Sequence, residues 1–147
     1  MMIHLIVVGK NKRDAYQKDI ESYIKQLPVK IKVSEILDEA NKDGMKKEAQ
    51  RILSKVPENA FVISLTIDGK SYSSESFASK LKTFYEQNKD VCFIIGGSYG
   101  LHESVIKRSD ECLSFSNFTF PHQLIRLMLV EQIYRAFKII EGHPYHK

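Results

Sequence analysis

Residues 91–102 read V-C-F-I-I-G-G-S-Y-G-L-H, and residues 113–126 read L-S-F-S-N-F-T-F-P-H-Q-L-I-R. Two short apolar runs, residues 91–95 and 112–115, each end in a loop of small and polar residues. The second loop passes through Pro121 straight into a long apolar helix. Proline suits a first helical turn, where its missing N–H costs nothing. Strand ends that open into small-residue loops are where α/β proteins bind nucleotide-like ligands. The stretch therefore predicts a cofactor site, with the rest of the chain supporting it and bringing the substrate.

Upstream, residues 3–9 form a continuous apolar run, the mark of a strand covered on both faces. Residues 14–27 are helical, with Tyr16, Ile20, Tyr23, Ile24 and Leu27 on one face and Pro28 as the stop. Residues 31–37 read as a second strand, 38–44 as a polar loop, and 45–56 as a second helix. That helix turns Met45, Ala49, Ile52, Leu53 and Val56 inward. Residues 60–67 read as a third strand, followed by a turn at Asp68-Gly69-Lys70. Ser73 or Ser74 caps a helix through about Gln87, with Phe77, Leu81, Phe84 and Tyr85 inside. After the strand at 91–95 come a short helix at 102–108 and a fifth strand at 111–115. The last helix runs to Glu141, about 30 Å at 1.5 Å per residue, and Gly142 ends it.

Strands and helices alternate throughout, which predicts an α/β fold with a mostly parallel sheet and helices on both faces. At 147 residues the chain reads as one domain, 1–147. The last helix carries Leu124, Ile125, Leu127, Met128, Leu129, Val130, Ile133, Tyr134, Phe137, Ile139 and Ile140, more than one stripe can bury. A symmetric homodimer would cover the excess; the alternative is a helix buried deep inside one subunit.

The formal net charge of +4 permits binding to nucleic acid without demanding it. Basic residues cluster in Lys10-Asn11-Lys12-Arg13 and, on the second helix, in Lys42, Lys46, Lys47, Arg51 and Lys55. For that helix alone a solvated face is the preferred reading. Cys92 and Cys112 sit in apolar runs outside any C-x-x-C pair, as buried, reduced thiols of a cytoplasmic protein do. The opening M-M-I-H-L-I-V-V-G-K has no basic n-region and reads as a strand, not a signal peptide. Arg126, Glu131, Arg135 and Lys138 interrupt the last helix, so no membrane span is expected.

Several chemistries are excluded by what is absent. The first strand ends in Gly9-Lys10 without a dinucleotide fingerprint, which disfavours a nicotinamide enzyme. Asp68-Gly69-Lys70-Ser71 resembles the end of a P-loop, but Ser64 stands where the upstream glycine belongs. His143 and His146 have ligand spacing on a tail containing Pro144, and no C-x-x-C or H-E-x-x-H is present, so no metal is expected. No G-x-S-x-G elbow supports a serine hydrolase. What remains is the loop from Phe115 to Phe120 facing Gly96-Gly97-Ser98-Tyr99-Gly100. Backbone groups there could read a base edge, and apolar side chains could sandwich a ring. Taken singly, Phe115, Phe118 and Phe120 suit plain core packing.

Four segments together carry a specific resemblance: residues 63–75, I-S-L-T-I-D-G-K-S-Y-S-S-E; residues 93–101, F-I-I-G-G-S-Y-G-L; residues 113–126; and residues 131–147, E-Q-I-Y-R-A-F-K-I-I-E-G-H-P-Y-H-K. They resemble the RlmH-type family, bacterial methyltransferases of the SPOUT class that modify a pseudouridine in large-subunit ribosomal RNA. The likeness runs end to end. It departs at residues 38–46, a connection shorter than usual, and at Ala49, where the family often has glycine.

The resemblance implies a C-terminal trefoil knot, a homodimer, and S-adenosylmethionine held in a bent form. It implies cofactor-binding positions at Leu65, Gly96, Phe115, Ser116, Asn117, Phe118, Thr119 and Phe120. The product would be N3-methylpseudouridine in 23S ribosomal RNA, in a hairpin at the subunit interface of the ribosome. Methyl transfer from a sulfonium needs alignment and a group to handle the N3 proton. Tyr145, His146 and Arg126 are the candidates for catalysis. The tail at 142–147 would reach the partner's cofactor, with Tyr145 or His146 orienting the base and Arg126 and Lys147 on phosphate. Without the resemblance, a frayed end is the reading of H-P-Y-H-K. An RNA- or ribosome-binding protein without catalysis is the second hypothesis, and failure to bind S-adenosylmethionine would favour it.

Overall fold

A computed structural model describes residues 1–9 and 14–147; the basic run Lys10-Asn11-Lys12-Arg13 lies outside them. The described chain runs β1 (Met2–Val8), α1 (Asp14–Lys25), β2 (Lys30–Ile36), a 3-10 turn (Lys42–Gly44) and α2 (Met45–Lys55). It continues with β3 (Phe61–Ser71), α3 (Ser74–Glu86), β4 (Val91–Ile95), α4 (Glu103–Arg108), β5 (Glu111–Ser114) and α5 (His122–Glu141). The strands form one five-stranded sheet in the order β2-β1-β4-β3-β5, and every neighbouring pair is parallel.

β4 is apolar throughout, and β1 at every position but the partly buried His4, because both faces are covered. Ile3, Leu5 and Val7 of β1 join Val91, Phe93 and Ile95 of β4 in a core beneath α1, α3 and α5. Ile6 and Val8 join Cys92 and Ile94 in a second core closed by Ala49 and Ile52 of α2 and Val105 of α4. Each fully buried aliphatic side chain contributes on the order of 1.5–3 kcal/mol relative to exposure. Cys92 lies in this second core, and burial pushes its thiol up to about 12. Cys112, expected to be buried as well, is only partly so.

The third strand departs from expectation. Asp68-Gly69-Lys70 is not a turn: β3 continues through it to Ser71. β5 pairs first with Ile63 to Leu65, and then Leu113 pairs again with Lys70 and Ser114 with Ser71. The strand slips against its neighbour, and residues 66–69 bulge out between the two registers. A side chain at Gly69 would put a Cβ 2.7 Å from the backbone carbon of Cys112, so only glycine lets the strands approach this closely. Ser73 then caps α3 by accepting the backbone N–H of Ser76 at 3.0 Å.

The last helix is well covered within one chain. Arg126, Leu129, Val130, Ile133, Tyr134, Ala136 and Phe137 are buried, and no residue from 122 to 140 is fully exposed. α1 and α3 pack along it. On α2 the lysines 46, 47 and 55 are exposed, while Arg51 pairs with Glu39 at 3.1 Å, consistent with a solvated face. Among the described residues no helix is long and apolar enough to cross a membrane.

Candidate active site

The carboxyl ends of β3, β4 and β5 open into one cleft of about 760 Å³, within the range of cofactor pockets. Its walls are the bulged segment of β3, the loop after β4 from Gly96 to Leu101, the loop after β5, and the first turn of α5. Leu65, Gly96, Phe115, Ser116, Phe118, Thr119 and Phe120 all line it; Asn117 of the expected set does not. The glycine at 96 is sterically required, because a Cβ there would sit 2.9 Å from the Gly100 carbonyl oxygen and from Leu101 Cδ2.

Hydrogen bonds shape the loop after β5. Ser114 Oγ stands 2.8 Å from the Ile67 carbonyl oxygen and 3.1 Å from that of Ser116, tying the loop to the bulge of β3. The Phe118 N–H donates to Ser116 Oγ at 3.0 Å. The Phe118 ring itself is 77% exposed, and with Ile67 (53%) and Tyr99 (52%) it leaves an apolar rim on the cleft. Thr66 lines the cleft, and its buried Oγ1 has no hydrogen-bond partner among the described residues.

The tail is docked, not frayed. Tyr145 donates from its hydroxyl to Glu131 Oε1 at 3.0 Å and packs edge-on against Tyr134 at 4.9 Å. Burial, together with bonds to Tyr23 and Glu131, raises the Tyr145 hydroxyl above the ordinary phenol range. His146 lies between Arg135 (3.1 Å) and Glu75 (2.7 Å). Lys147 is exposed at the end. Glu131, the partner of Tyr145, lines a second cavity of about 480 Å³ between α1, α3 and α5, which shares Leu113 and Phe115 with the cleft. Within one chain, then, neither Tyr145 nor His146 lines the cleft.

Arg126 stands apart from the tail and inside the protein. It is 3% exposed and donates to the Gly9 carbonyl oxygen at 3.0 Å and to Glu35 at 3.3 Å. Burial lowers its pKa, an effect opposed by Glu35. Among the described residues no group of three or more His, Cys, Asp or Glu side chains is placed to hold a metal ion.

A family model described as "Predicted SPOUT methyltransferase" matches residues 1–146. The chain belongs to the SPOUT methyltransferase family. The "Ribosomal RNA large subunit methyltransferase H" of Listeria welshimeri is 48% identical over 159 aligned positions, covering 100% of both chains. The proteins of the same name from Bacillus pumilus and Lysinibacillus sphaericus are 46% and 43% identical, again over 100% of each chain. Among solved structures, a methylase family protein from Haemophilus influenzae superposes with a TM-score of 0.59 at 9% identity, covering 99% of this chain and 70% of that one. A methylase family protein from Neisseria gonorrhoeae gives 0.55 at 9% identity over 90% and 81%. At that identity the two structures show a shared fold.

The sequence pointed to the two loops and, through the resemblance, to Leu65 of β3, but not to the three residues that follow it. Thr66, Ile67 and Asp68 line the cleft only because β3 slips against β5, and no local pattern announces that slip. His122 and Ile125 were read simply as helix, yet the first turn of α5 faces the site.

Proposed function

We propose that this chain is an S-adenosylmethionine-dependent methyltransferase acting on N3 of a pseudouridine in 23S ribosomal RNA. The observation that carries the reading is the meeting of the Gly96 loop and the Phe115–Phe120 segment on one cleft, in a chain of this family. Full-length identity to proteins named as ribosomal RNA large subunit methyltransferases supports the choice of RNA.

The cleft fits the cofactor in size and chemistry. Gly96 lets the loop after β4 close tightly on its strand end, Leu65 and Phe115 offer apolar walls, and Thr66 is part of the lining. Bound there, S-adenosylmethionine supplies a methyl group on sulfonium, already a good leaving group, so no metal is required. The protein's task is then to align the acceptor nitrogen in line and to exclude other geometries. The exposed rim of Ile67, Tyr99 and Phe118 suits stacking of an unpaired RNA base.

In this reading the C-terminal segment threads a trefoil knot, and the active unit is a cytoplasmic homodimer. The tail of one subunit then approaches the partner's cleft, with Tyr145 or His146 orienting the base and Lys147 on phosphate. Arg126 serves as a positioning residue, holding α5 to the end of β1. The substrate is the assembled ribosome.

The test is transfer of labelled methyl from S-adenosylmethionine to ribosomes lacking the modification, with free ribosomal RNA and transfer RNA alongside. Label in large-subunit RNA of ribosomes alone is the expected result. A folded protein that labels none of the three and binds no cofactor would overturn the reading in favour of a binding protein.

A further inference from the structure

Methylation at an imide nitrogen requires that its proton leave, because the neutral N–H is a poor nucleophile. Tyr145 and His146 lie against α3 and α5 of their own chain, with their polar side-chain atoms engaged by Glu131, Glu75 and Arg135. We propose that His122 is the proton acceptor, a catalytic base on the same chain that holds the cofactor. The inference rests on the methyl-transfer reading above.

Of the five histidines, His122 alone lines the cleft. His102 is engaged with Ser104 at 2.9 Å, His143 accepts the Tyr145 N–H at 3.1 Å, and His4 lies 3.9 Å from Asp90. The His122 imidazole makes no hydrogen bond or ion pair with a described residue, so both its nitrogens remain available. Its place is nonetheless set. It opens α5, whose first turn is closed by the N–H groups of Leu124 and Ile125 on the Pro121 carbonyl. Its Nε2 would lie 3.8 Å from a Cβ at Gly9, and one turn on Arg126 grips the Gly9 carbonyl.

The other titratable side chains of the cleft are Asp68 and Tyr99. As classes, a carboxylate is a weaker base than an imidazole, and a phenol keeps its proton at neutral pH. Imidazole is the best match for an imide proton under those conditions. Among the described residues, the charged groups of the cleft and of the adjoining turn of α5 are Asp68 on β3, Arg126 on α5, and Glu35 of β2 paired with Arg126. In the step, the N3 proton passes to the imidazole and the N3 electron pair forms the bond to the methyl carbon. The S–CH₃ bonding pair returns to sulfur as a neutral thioether, and the imidazolium then releases its proton to water.

The experiment uses the full chain with His122→Ala and His122→Gln. Three readouts are taken: cofactor affinity by calorimetry, single-turnover methyl transfer to unmodified ribosomes from about pH 6 to pH 9, and the same with added imidazole. Both variants should bind cofactor within about threefold of the parent, which also certifies the fold, and transfer methyl ~100-fold more slowly or worse. The parent rate should rise with pH, the variants should lose that limb, and imidazole should partly rescue the alanine variant. Parental transfer rates in either variant, or slow transfer with an unchanged pH profile and no rescue, would overturn the proposal. A parent that binds cofactor yet methylates no RNA would instead bring down the functional reading, and this inference with it.

Discussion

Arg126 Nη2 lies 3.0 Å from the carbonyl oxygen of Gly9, joining the last helix to the end of the first strand across the sheet. The contact is buried on the arginine side, and Glu35 supplies the counter-charge at 3.3 Å. It places α5, and with it the first-turn side chains that face the cleft. Arg126→Ala should lower unfolding stability by about 2–3 kcal/mol in urea, from a lost charged hydrogen bond and a buried carbonyl left unpaired. Cofactor binding should weaken as well. Parental stability combined with a selective loss of RNA affinity would return Arg126 to a phosphate contact.

Gly96→Val tests the cofactor cleft. The new Cβ would collide at 2.9 Å with the Gly100 carbonyl, so the loop must move into or away from the site. Cofactor affinity should fall ~100-fold or more while circular dichroism and hydrodynamic size stay those of the parent. Intact affinity would place the cofactor elsewhere.

Removing Tyr145, His146 and Lys147 tests the tail. The truncation gives up the bonds to Glu131 and Glu75, which lie outside the cleft. Cofactor binding should survive, and methyl transfer to ribosomes should fall by ~100-fold or more. Unchanged turnover would sink the composite site across a dimer.

Glu48 gives a pH signature. Burial, reinforced by neighbouring Asp38, raises its carboxyl above the ordinary range, against the lowering pull of the Glu39 N–H. A carboxyl with a raised folded pKa favours folding in its protonated form. That contribution is full below the unfolded value near 4.5 and is lost as pH rises through the folded value. Glu48→Gln keeps an acceptor for the Glu39 N–H without the charge. Its melting temperature should exceed the parent's at about pH 8 and the advantage should vanish at about pH 4. An equal offset at both values would refute the assignment.

The sequence by itself determined the sheet and both candidate loops. Side chains of β1 and β4 alternate between two cores, and a strand covered twice is apolar at nearly every step, so Ile3–Val8, broken only by His4, and Val91–Ile95 are legible without a structure. The helices announce themselves through one-sided apolar spacing, Ser73 and the prolines. Those signals are local, carried within a few residues of backbone period. Only the tertiary structure decided that Thr66, Ile67 and Asp68 join Leu65 in the wall of the cleft, the burial of Arg126 and the approach of His122. The slip of β3 depends on where β5 pairs twice and on the closeness that Gly69 permits. The fate of Arg126 depends on a carbonyl and a carboxylate at the far end of the chain. Such contacts join segments distant in sequence, and their free energy is realised only when packing removes the alternatives.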